Sequence, residues 1–398
     1  MNEQIIDFAD DDTDEVNVDE KLHDPVGEDR DGEVVGEYDL VSTPNDFNVL
    51  TIKNFLDTGA VKVPRYQRNF VWDRARASKL IESLILGLPV PQVFLYEEAR
   101  NSFQIIDGQQ RLMSIYFFLI GRFPRKTAKP KLREFWGHEG GIPPHILADD
   151  NLFESFKLQL PTPPNAQPNP LHGFKYDTLE ERQIQLGMRT LRNIVIKQVD
   201  PEGRGAVYEI FNRLNTTGVN LTAQEIRMSL ADSAFMELVV DFNKDATWRQ
   251  LFGVATPDPR LRDIEVLLRA FAMADESDEY RPSMVRFLDR YADRTRKFKE
   301  DQIRSRRMIL ERFLEDSSRV SRVPFLISDR FSVPIFEAIF AAYAQECQNG
   351  GCPTLHDEIL ARIKADPEFV EATETHTTDT KNVAQRIAVA RAYLRGEK

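Results

Sequence analysis

The order of apolar and polar positions predicts strands and helices in the first half of the chain. Five apolar residues recur at helical spacing after Asp73, which can cap the helix that they define: Ala77, Leu80, Ile81, Leu84 and Ile85. Two short apolar runs, PQVFLYEE and SFQIID, are typical of strands. The second run ends in an acid and a glycine, and apolar residues then resume at helical spacing in LMSIYFFLIG. The pattern from about residue 45 to residue 122 therefore predicts a compact α/β unit.

Later segments continue the alternation and then become helical. The pattern predicts a helix in TLEERQIQLGMRTLRN, a strand in IVIKQVD and a helix in AVYEIFNRLNTTG, whereas the proline-rich PTPPNAQPNP predicts an inserted surface loop. A further helix begins in LTAQEIRMSL, where Thr222 and Glu225 have the spacing of a capping box. We therefore expect an α+β protein with an α/β domain over residues 43–235 and a mostly helical domain over residues 236–398.

The negative charge is concentrated at one end of the chain. The formal net charge is −12, but residues 1–40 hold 16 acids against Lys21 and Arg30, a local charge of −14, so the remainder carries +2. A segment so acidic and so poor in aromatic residues predicts a disordered tail over residues 1–42. Such a tail keeps a protein soluble, competes with nucleic acid for a basic groove or docks a partner, and all three uses stay open.

Composition limits the class of protein. We find no run of about 18 apolar residues, so the sequence predicts no membrane span. The N-terminal MNEQIIDFADDD lacks the basic start and apolar stretch of a signal peptide, so we expect a cytoplasmic protein. That compartment argues against a disulfide between the two cysteines, Cys347 and Cys352, and CQNGGC reads as a turn that ends a helix. We expect no metal site there, because a zinc site needs about four ligands and no fourth ligand is near.

The stretch IIDGQQRLMS combines a turn with polar chemistry. A helix that begins after a strand presents backbone N–H groups, which favour an anion such as phosphate. Gly108 lets the backbone approach a ligand, and the Arg111 guanidinium can bind a phosphate through two donors. Asp107 can hold a metal ion, orient a water or cap the helix, while Gln109 and Gln110 can hydrogen-bond a phosphate, a base or a water. The alternative is a well-capped helix with polar surface residues.

Two further segments carry candidate ligand contacts. In VPRYQRNF, Tyr66, Gln67 and Arg68 place a ring, an amide and a cation on an extended segment, a set that suits a base with a phosphate. The alternative is an edge strand with solvated arginines. In FNRLNTTG, Asn215 lies in a loop that either closes over the ligand or only supplies turn geometry.

Taken in order, these segments resemble a known family. VPRYQRNFVWD, LPVPQVFLYEE, IIDGQQRLMSI and FNRLNTTGVNLTAQEIR are similar to the N-terminal domain of GmrSD-type restriction proteins, a bacterial family with a ParB-like fold. In that family the DGQQR motif is tied to nucleoside triphosphate binding and hydrolysis, and the YQR segment is linked in some members to sensing modified DNA. The resemblance implies a nucleoside triphosphate with Mg²⁺ as cofactor and catalytic roles for Asp107, Gln109, Gln110 and Arg111. It also implies nucleotide or DNA contacts by Gly108, Tyr66, Gln67 and Arg68.

The chain departs from many members of that family in one respect. We find no HNH-type nuclease pattern around any of the six histidines, and no G-x-x-x-x-G-K-[ST] P-loop motif. The resemblance therefore leaves three functions open. One is an NTP-hydrolysing specificity or DNA-sensing component that works with a separately encoded nuclease in defence against foreign DNA. The alternatives are a ParB-like regulatory module that binds DNA or nucleotide without catalysis, and an adaptor that uses the acidic tail.

A basic stripe in the second half offers a DNA contact. In RPSMVRFLDRYADRTRKFKE, Arg286, Arg290 and Arg294 lie four residues apart and share one helical face. Phe287, Leu288 and Tyr291 lie on other sides and are expected to pack inward. A stripe of this kind can follow a phosphate backbone without reading its sequence. The alternative is a solvated helix face that nearby Asp289 and Asp293 balance.

Overall fold

The computed structural model describes residues 22–23, 39–63, 70–136, 140–161, 167–200, 205–214, 222–231, 233–258, 260–320, 324–327 and 329–398. By internal contacts the chain divides into two compact units, Val34–Ser233 and Ala234–Lys398, the second of which also takes in Met1–Glu33.

The described strands are β1 Leu22–His23, β2 Asp39–Asn48, β3 Val61–Lys62, β4 Val93–Ala99, β5 Ser102–Asp107, β6 Arg122–Pro124, β7 Phe153–Ser155, β8 Thr190–Asp200, β9 Leu326–Ile327 and β10 Arg330–Ser332. The described α-helices of the first unit are α1 Val49–Asp57, α2 Arg74–Leu86, α3 Gln109–Leu119, α4 Leu132–Phe135, α5 Pro144–Leu147, α6 Glu181–Met188, α7 Gly205–Leu214 and α8 Ala223–Leu230. Those of the second unit are α9 Ala234–Asn243, α10 Ala246–Phe252, α11 Arg262–Glu276, α12 Met284–Thr295, α13 Glu300–Arg319, α14 Val333–Gln348, α15 Asp357–Ala365, α16 Pro367–Glu374 and α17 Thr380–Leu394.

A mixed sheet forms the centre of the first unit. Its strand order is β2-β8-β4-β5-β3, with antiparallel pairing of β2 with β8 and of β4 with β5, and parallel pairing of β8 with β4 and of β5 with β3. Successive residues of β5 face opposite sides of this sheet. Ile105 belongs to the larger core cluster with α1, α2 and α3, whereas Ile106 packs in the cluster with α7 and α8. Both faces are therefore covered, which explains why the apolar run of β5 is continuous.

The edge strand β2 corrects the prediction of a disordered tail over residues 1–42. Residues 39–42 lie in β2, which pairs with β8 along its whole length, and Leu22–His23 pair with β10 in the second unit. Pro44 has no N–H to donate, and an edge strand tolerates such a residue. The sequence DLVSTPNDFN has no clear apolar alternation. It nevertheless forms a strand, because its backbone pairs with β8. The remaining residues of the predicted tail lie outside the described residues.

Most predicted elements of the first unit are present. The helix after Asp73 is confirmed as α2, and the Asp73 carboxylate accepts a hydrogen bond of 2.7 Å from the Arg76 amide. The capping box of Thr222 and Glu225 is confirmed at the start of α8. The helix predicted for TLEERQIQLGMRTLRN is correct over α6 but wrong at residues 190–193, where β8 has begun. These residues are a strand because β8 pairs with β2 on one side and with β4 on the other.

The second unit is mostly helical, as predicted. Its helices surround an aromatic core, and the buried Glu337 carboxylate on α14 binds both Arg269 of α11 and Arg386 of α17. Three short strands, β1, β10 and β9, form a small sheet beside them. The mixed α/β first unit and helical second unit confirm the fold class. Among the described residues, no helix is both long and apolar enough to cross a membrane.

The expectation that Cys347 and Cys352 stay unbonded is wrong in this structure. Helix α14 ends at Gln348, and the turn that follows contains Gly350 with a φ of 101°. That left-handed backbone brings the two Cα atoms to 4.1 Å, and the cysteines form a disulfide. The turn that ends the helix was predicted, whereas the bond across it was not.

Candidate functional site

The DGQQR motif lies at a strand-to-helix junction, as predicted. β5 ends at Asp107, Gly108 is the N-cap, and α3 begins at Gln109. Helix α3 is buried over almost its whole length, because its aromatic residues pack in the larger core cluster. The motif is therefore the polar end of a core helix. Its position is fixed by the packing of the rest of that helix.

Gly108 determines the shape of the junction. Its φ of 98° lies in the left-handed region, and a Cβ atom there would come within 2.8 Å of Val93 Cγ2. The backbone can therefore turn directly from the strand into the helix beside β4. As the N-cap, Gly108 forms no side-chain cap hydrogen bond to the first amides of α3. Amides at the start of a helix together with the helix dipole favour an anionic group.

Asp107 and Arg111 form an ion pair across this turn. Arg111 Nη2 donates to Asp107 Oδ2 at 2.7 Å and to the Gln92 carbonyl oxygen at 3.0 Å. The Arg111 side chain is 17 % exposed and that of Asp107 is 40 % exposed. The carboxylate therefore reaches solvent, and the less exposed guanidinium holds it in place through the ion pair. Arg111 Nε is buried and has no hydrogen-bond partner among the described residues. A buried donor in this state costs free energy that an acceptor would recover.

The two glutamines of the motif point in different directions. Gln109 is 8 % exposed and its amide nitrogen contacts Met113 Sδ at 3.5 Å, so its side chain belongs to the buried side of α3. The Gln110 side-chain oxygen accepts hydrogen bonds from the Val71 amide at 2.9 Å and from the Trp72 amide at 3.3 Å. Each glutamine side chain is therefore held by contacts with other residues of the protein. The backbone amides of the same residues remain at the start of the helix.

Lys129 is a residue of this site that the sequence did not indicate. Its ammonium group donates to the Trp72 carbonyl oxygen at 2.7 Å and lies 5.4 Å from the centre of the Phe70 ring. Burial lowers the pKa of Lys129, and Lys126 lowers it further, whereas Asp73 raises it. FPRKTAKPK carries several cations but no spacing that relates it to residues 70–72, so the sequence held no signal for this contact.

Four predicted site residues fall outside the part of the chain that the structure describes. They are Tyr66, Gln67, Arg68 and Asn215. Residues 64–69 precede Phe70 in the chain, and residues 215–221 precede Thr222, so the described residues include the C-terminal neighbour of each segment. The contacts predicted for these four side chains stay predictions.

Arg286 and Arg290 lie in the other unit, on α12. Both are exposed, and Phe287, Leu288 and Tyr291 are buried as the helical period predicted. Arg294, the third member of the stripe, binds Glu276 at 2.7 Å and Glu279 at 3.1 Å. The charge of Arg294 is therefore compensated by these two carboxylates.

A polar cleft of about 380 Å³ also lies in the second unit. The Asp275 carboxylate in its wall accepts hydrogen bonds from Tyr291, Arg306 and Gln348. These contacts tie α11 to α12, α13 and α14, so the cleft is explained as the surface of an internal ion-pair network. Among the described residues there is no cluster of three or more His, Cys, Asp or Glu side chains that could hold a metal ion.

Comparison with known proteins gives a family match within the first unit. Residues 51–231 match a family model described as the GmrSD restriction endonuclease, N-terminal domain. The matched range contains the DGQQR junction and ends at the C-cap of α8, whereas α12 lies outside it. No curated protein matches the chain.

Proposed function

We propose, from the match of residues 51–231 to the GmrSD N-terminal domain, that the junction around Asp107 binds and hydrolyses a nucleoside triphosphate. The protein would use this reaction as a DNA-sensing or specificity component of defence against foreign DNA. The observation that carries the proposal is the Asp107–Arg111 pair at a helix start whose cap, Gly108, has no side chain.

Each part of the junction has a role in this proposal. The amides that begin α3 and the helix dipole stabilise the phosphates, and Gly108 allows their close approach. Arg111 holds Asp107 in place through Nη2, and its guanidinium charge favours an anion at the start of the helix. Asp107 orients the attacking water through its exposed carboxylate. The same carboxylate fits Mg²⁺, which prefers oxygen ligands and would neutralise phosphate charge.

Phosphate release by the purified full-length protein tests the proposal. The protein is incubated with Mg²⁺ and each of the four nucleoside triphosphates, and binding is measured in parallel by calorimetry. Arg111→Ala should weaken nucleotide binding by roughly 10- to 150-fold, because a charge-assisted contact is worth about 1.5–3 kcal/mol. Asp107→Asn should lower kcat more than it weakens binding, because the amide keeps the shape but loses the charge that orients water.

The chain offers a matched control for both changes. Arg122 binds the Asp150 carboxylate at 2.8 Å and two backbone carbonyls, so it resembles Arg111 in burial and in partners. Arg122→Ala and Asp150→Asn should leave hydrolysis per folded molecule unchanged. Equal losses in the control variants would show that the effect comes from stability alone. Nucleotide binding without phosphate release by the wild type would instead favour the regulatory module.

A further inference from the structure

Three sets of contacts fix the chain from Phe70 to Trp72. Phe70 is 1 % exposed, and its ring packs against Phe117 of α3 and Phe123 of β6. Gln110, in the first turn of α3, accepts hydrogen bonds from the Val71 and Trp72 amides. The buried ring fixes one end of this short segment, and the polar contacts fix its backbone.

Lys129 provides the third set of contacts. Its ammonium group donates to the carbonyl oxygen of Trp72 at 2.7 Å and approaches that of Val71 at 3.4 Å. It also lies over the rings of Phe70 and Phe123, at 5.4 and 5.7 Å from their centres. The peptide groups of Val71 and Trp72 are thus bound at their N–H groups by Gln110 and at their C=O groups by Lys129.

This arrangement does not follow from burial of the segment itself. The Val71 side chain is 65 % exposed, so the order of its backbone depends on polar contacts more than on apolar packing. Residue 110 is adjacent to Arg111, and residue 71 follows the segment 64–69 after a single intervening residue. One side chain therefore connects the DGQQR helix to the chain that leaves the YQR segment.

We propose that Gln110 and Lys129 form a clamp on residues 70–72, and that this clamp is a positioning device of the nucleotide site. The inference rests on the proposed function and assigns Gln110 a positioning role through its side chain. The clamp fixes residues 70–72, which follow the YQR segment in the sequence, to the helix that carries Arg111. Loosening it should raise the KM for nucleotide and leave kcat within about twofold, because Asp107 and Arg111 keep their own contacts.

Amide hydrogen exchange at Val71 and Trp72 tests the clamp without reference to activity. Gln110→Met keeps the side-chain length but removes the accepting oxygen, so both amides should exchange roughly tenfold faster. Gln110→Glu keeps an accepting oxygen at the start of a helix, where a negative charge is favoured, and should retain the protection. Lys129→Met should also accelerate exchange at both amides, and Lys129→Arg, which keeps a cationic donor, should restore part of the protection.

Two matched substitutions control for side-chain loss. Gln185→Met changes an exposed glutamine of α6, and Lys126→Met changes an exposed lysine three residues from Lys129. Neither should alter exchange at Val71 and Trp72 or the KM for nucleotide. Unchanged exchange in both Gln110→Met and Lys129→Met would overturn the clamp.

The kinetic arm separates this inference from the proposed function. Faster exchange with an unchanged KM would overturn the positioning role, although Gln110 and Lys129 would still order the segment. A wild-type protein that binds no nucleotide would overturn the proposed function together with that role. Faster exchange, a raised KM and recovery in Gln110→Glu would together support the inference.

Discussion

At the scale of single residues, Gly108 controls the DGQQR junction through its backbone. It is the point where the chain leaves β5 and enters α3, and its φ of 98° is one that residues with a Cβ rarely adopt. The neighbouring Val93 side chain fills the space that a Cβ atom would need. A substitution at Gly108 therefore tests backbone geometry and close packing together.

Gly108→Ala should destabilise the protein by roughly 2–4 kcal/mol, the sum of a left-handed alanine and an overpacked contact. Gly121→Ala is the matched control, since Gly121 also has a positive φ but a Cβ atom added there would meet no other atom within 4 Å. Urea denaturation should show a smaller loss of about 1–2 kcal/mol for the control. Equal losses in the two variants would mean that Val93 does not restrict the junction.

Glu276 gives the second unit a pH-dependent stability. Burial raises the pKa of this carboxyl from 4.5 to about 7, Glu279 and Asp275 add to the rise, and Arg294 and Arg290 oppose it. The folded protein therefore binds this proton more tightly than the unfolded chain does. The resulting stabilisation is present below pH 4.5 and is lost as the pH rises through about 7.

Glu276→Gln should remove this dependence, because the amide stays neutral at every pH. Between pH 5 and pH 7.5 the free energy of unfolding of the variant should fall less than that of the wild type, by about 2 kcal/mol. Glu279→Gln is the control, because Glu279 also binds Arg294 but is exposed. Parallel wild-type and Glu276→Gln stability curves across this range would contradict the assignment.

At the scale of elements, α12 separates an apolar face from a basic one. The apolar face is buried, and the exposed face presents Arg286 and Arg290, while Arg294 is held by acids of neighbouring segments. Two exposed cations four residues apart can contact successive phosphates of a nucleic acid backbone without reading bases. We propose a modest, salt-sensitive contact with DNA for this helix.

Charge reversal at Arg286 and Arg290 should reduce the slope of log affinity against log salt by roughly 2, because each phosphate contact contributes about 0.9. Arg304→Glu with Arg319→Glu makes the same change in net charge on α13, away from the proposed stripe. DNA affinity measured by fluorescence anisotropy should change much less in that control. NTP hydrolysis should be unaffected by either pair, and identical slopes in all three proteins would remove the stripe from DNA binding.

At the scale of the whole molecule, charge is divided unevenly along the chain. The first 40 residues carry −14 and the remaining residues carry +2, so the acidic segment dominates the net charge. Leu22–His23 and residues 39–42 lie in strands, so a deletion of the whole segment would also remove sheet pairing. Residues 2–21 contain neither of these described strands.

Deletion of residues 2–21 removes nine acids and Lys21, a net charge of −8, and should tighten DNA binding at low salt. The difference from the full-length chain should shrink as salt is raised, because screening shortens electrostatic interactions. A full-length chain with the nine acids changed to Asn and Gln should behave like the deletion. If the neutralised chain binds DNA like the wild type while the deletion binds more tightly, bulk and not charge is responsible.

The sequence by itself determined those features of the protein that depend on interactions between residues close together in the chain. The helix after Asp73, the capping box of Thr222 and Glu225, and the turn at Gly108 were predictable because a cap or a turn involves neighbours in the chain. The ordered motifs predicted the match to the GmrSD N-terminal domain for the same reason, since each motif is local. The burial of Phe287 and Tyr291 also followed from helical spacing.

Only the tertiary structure decided which distant segments meet. Gln110 binds Val71 across 39 residues and Lys129 binds Trp72 across 57, and no spacing in the sequence relates these pairs. Strand β2 and the first residues of β8 were missed because their order comes from pairing with strands far along the chain. Such contacts form when the core packs around α3. The role of a polar side chain at the site is therefore set by the partners that this packing brings within hydrogen-bond distance.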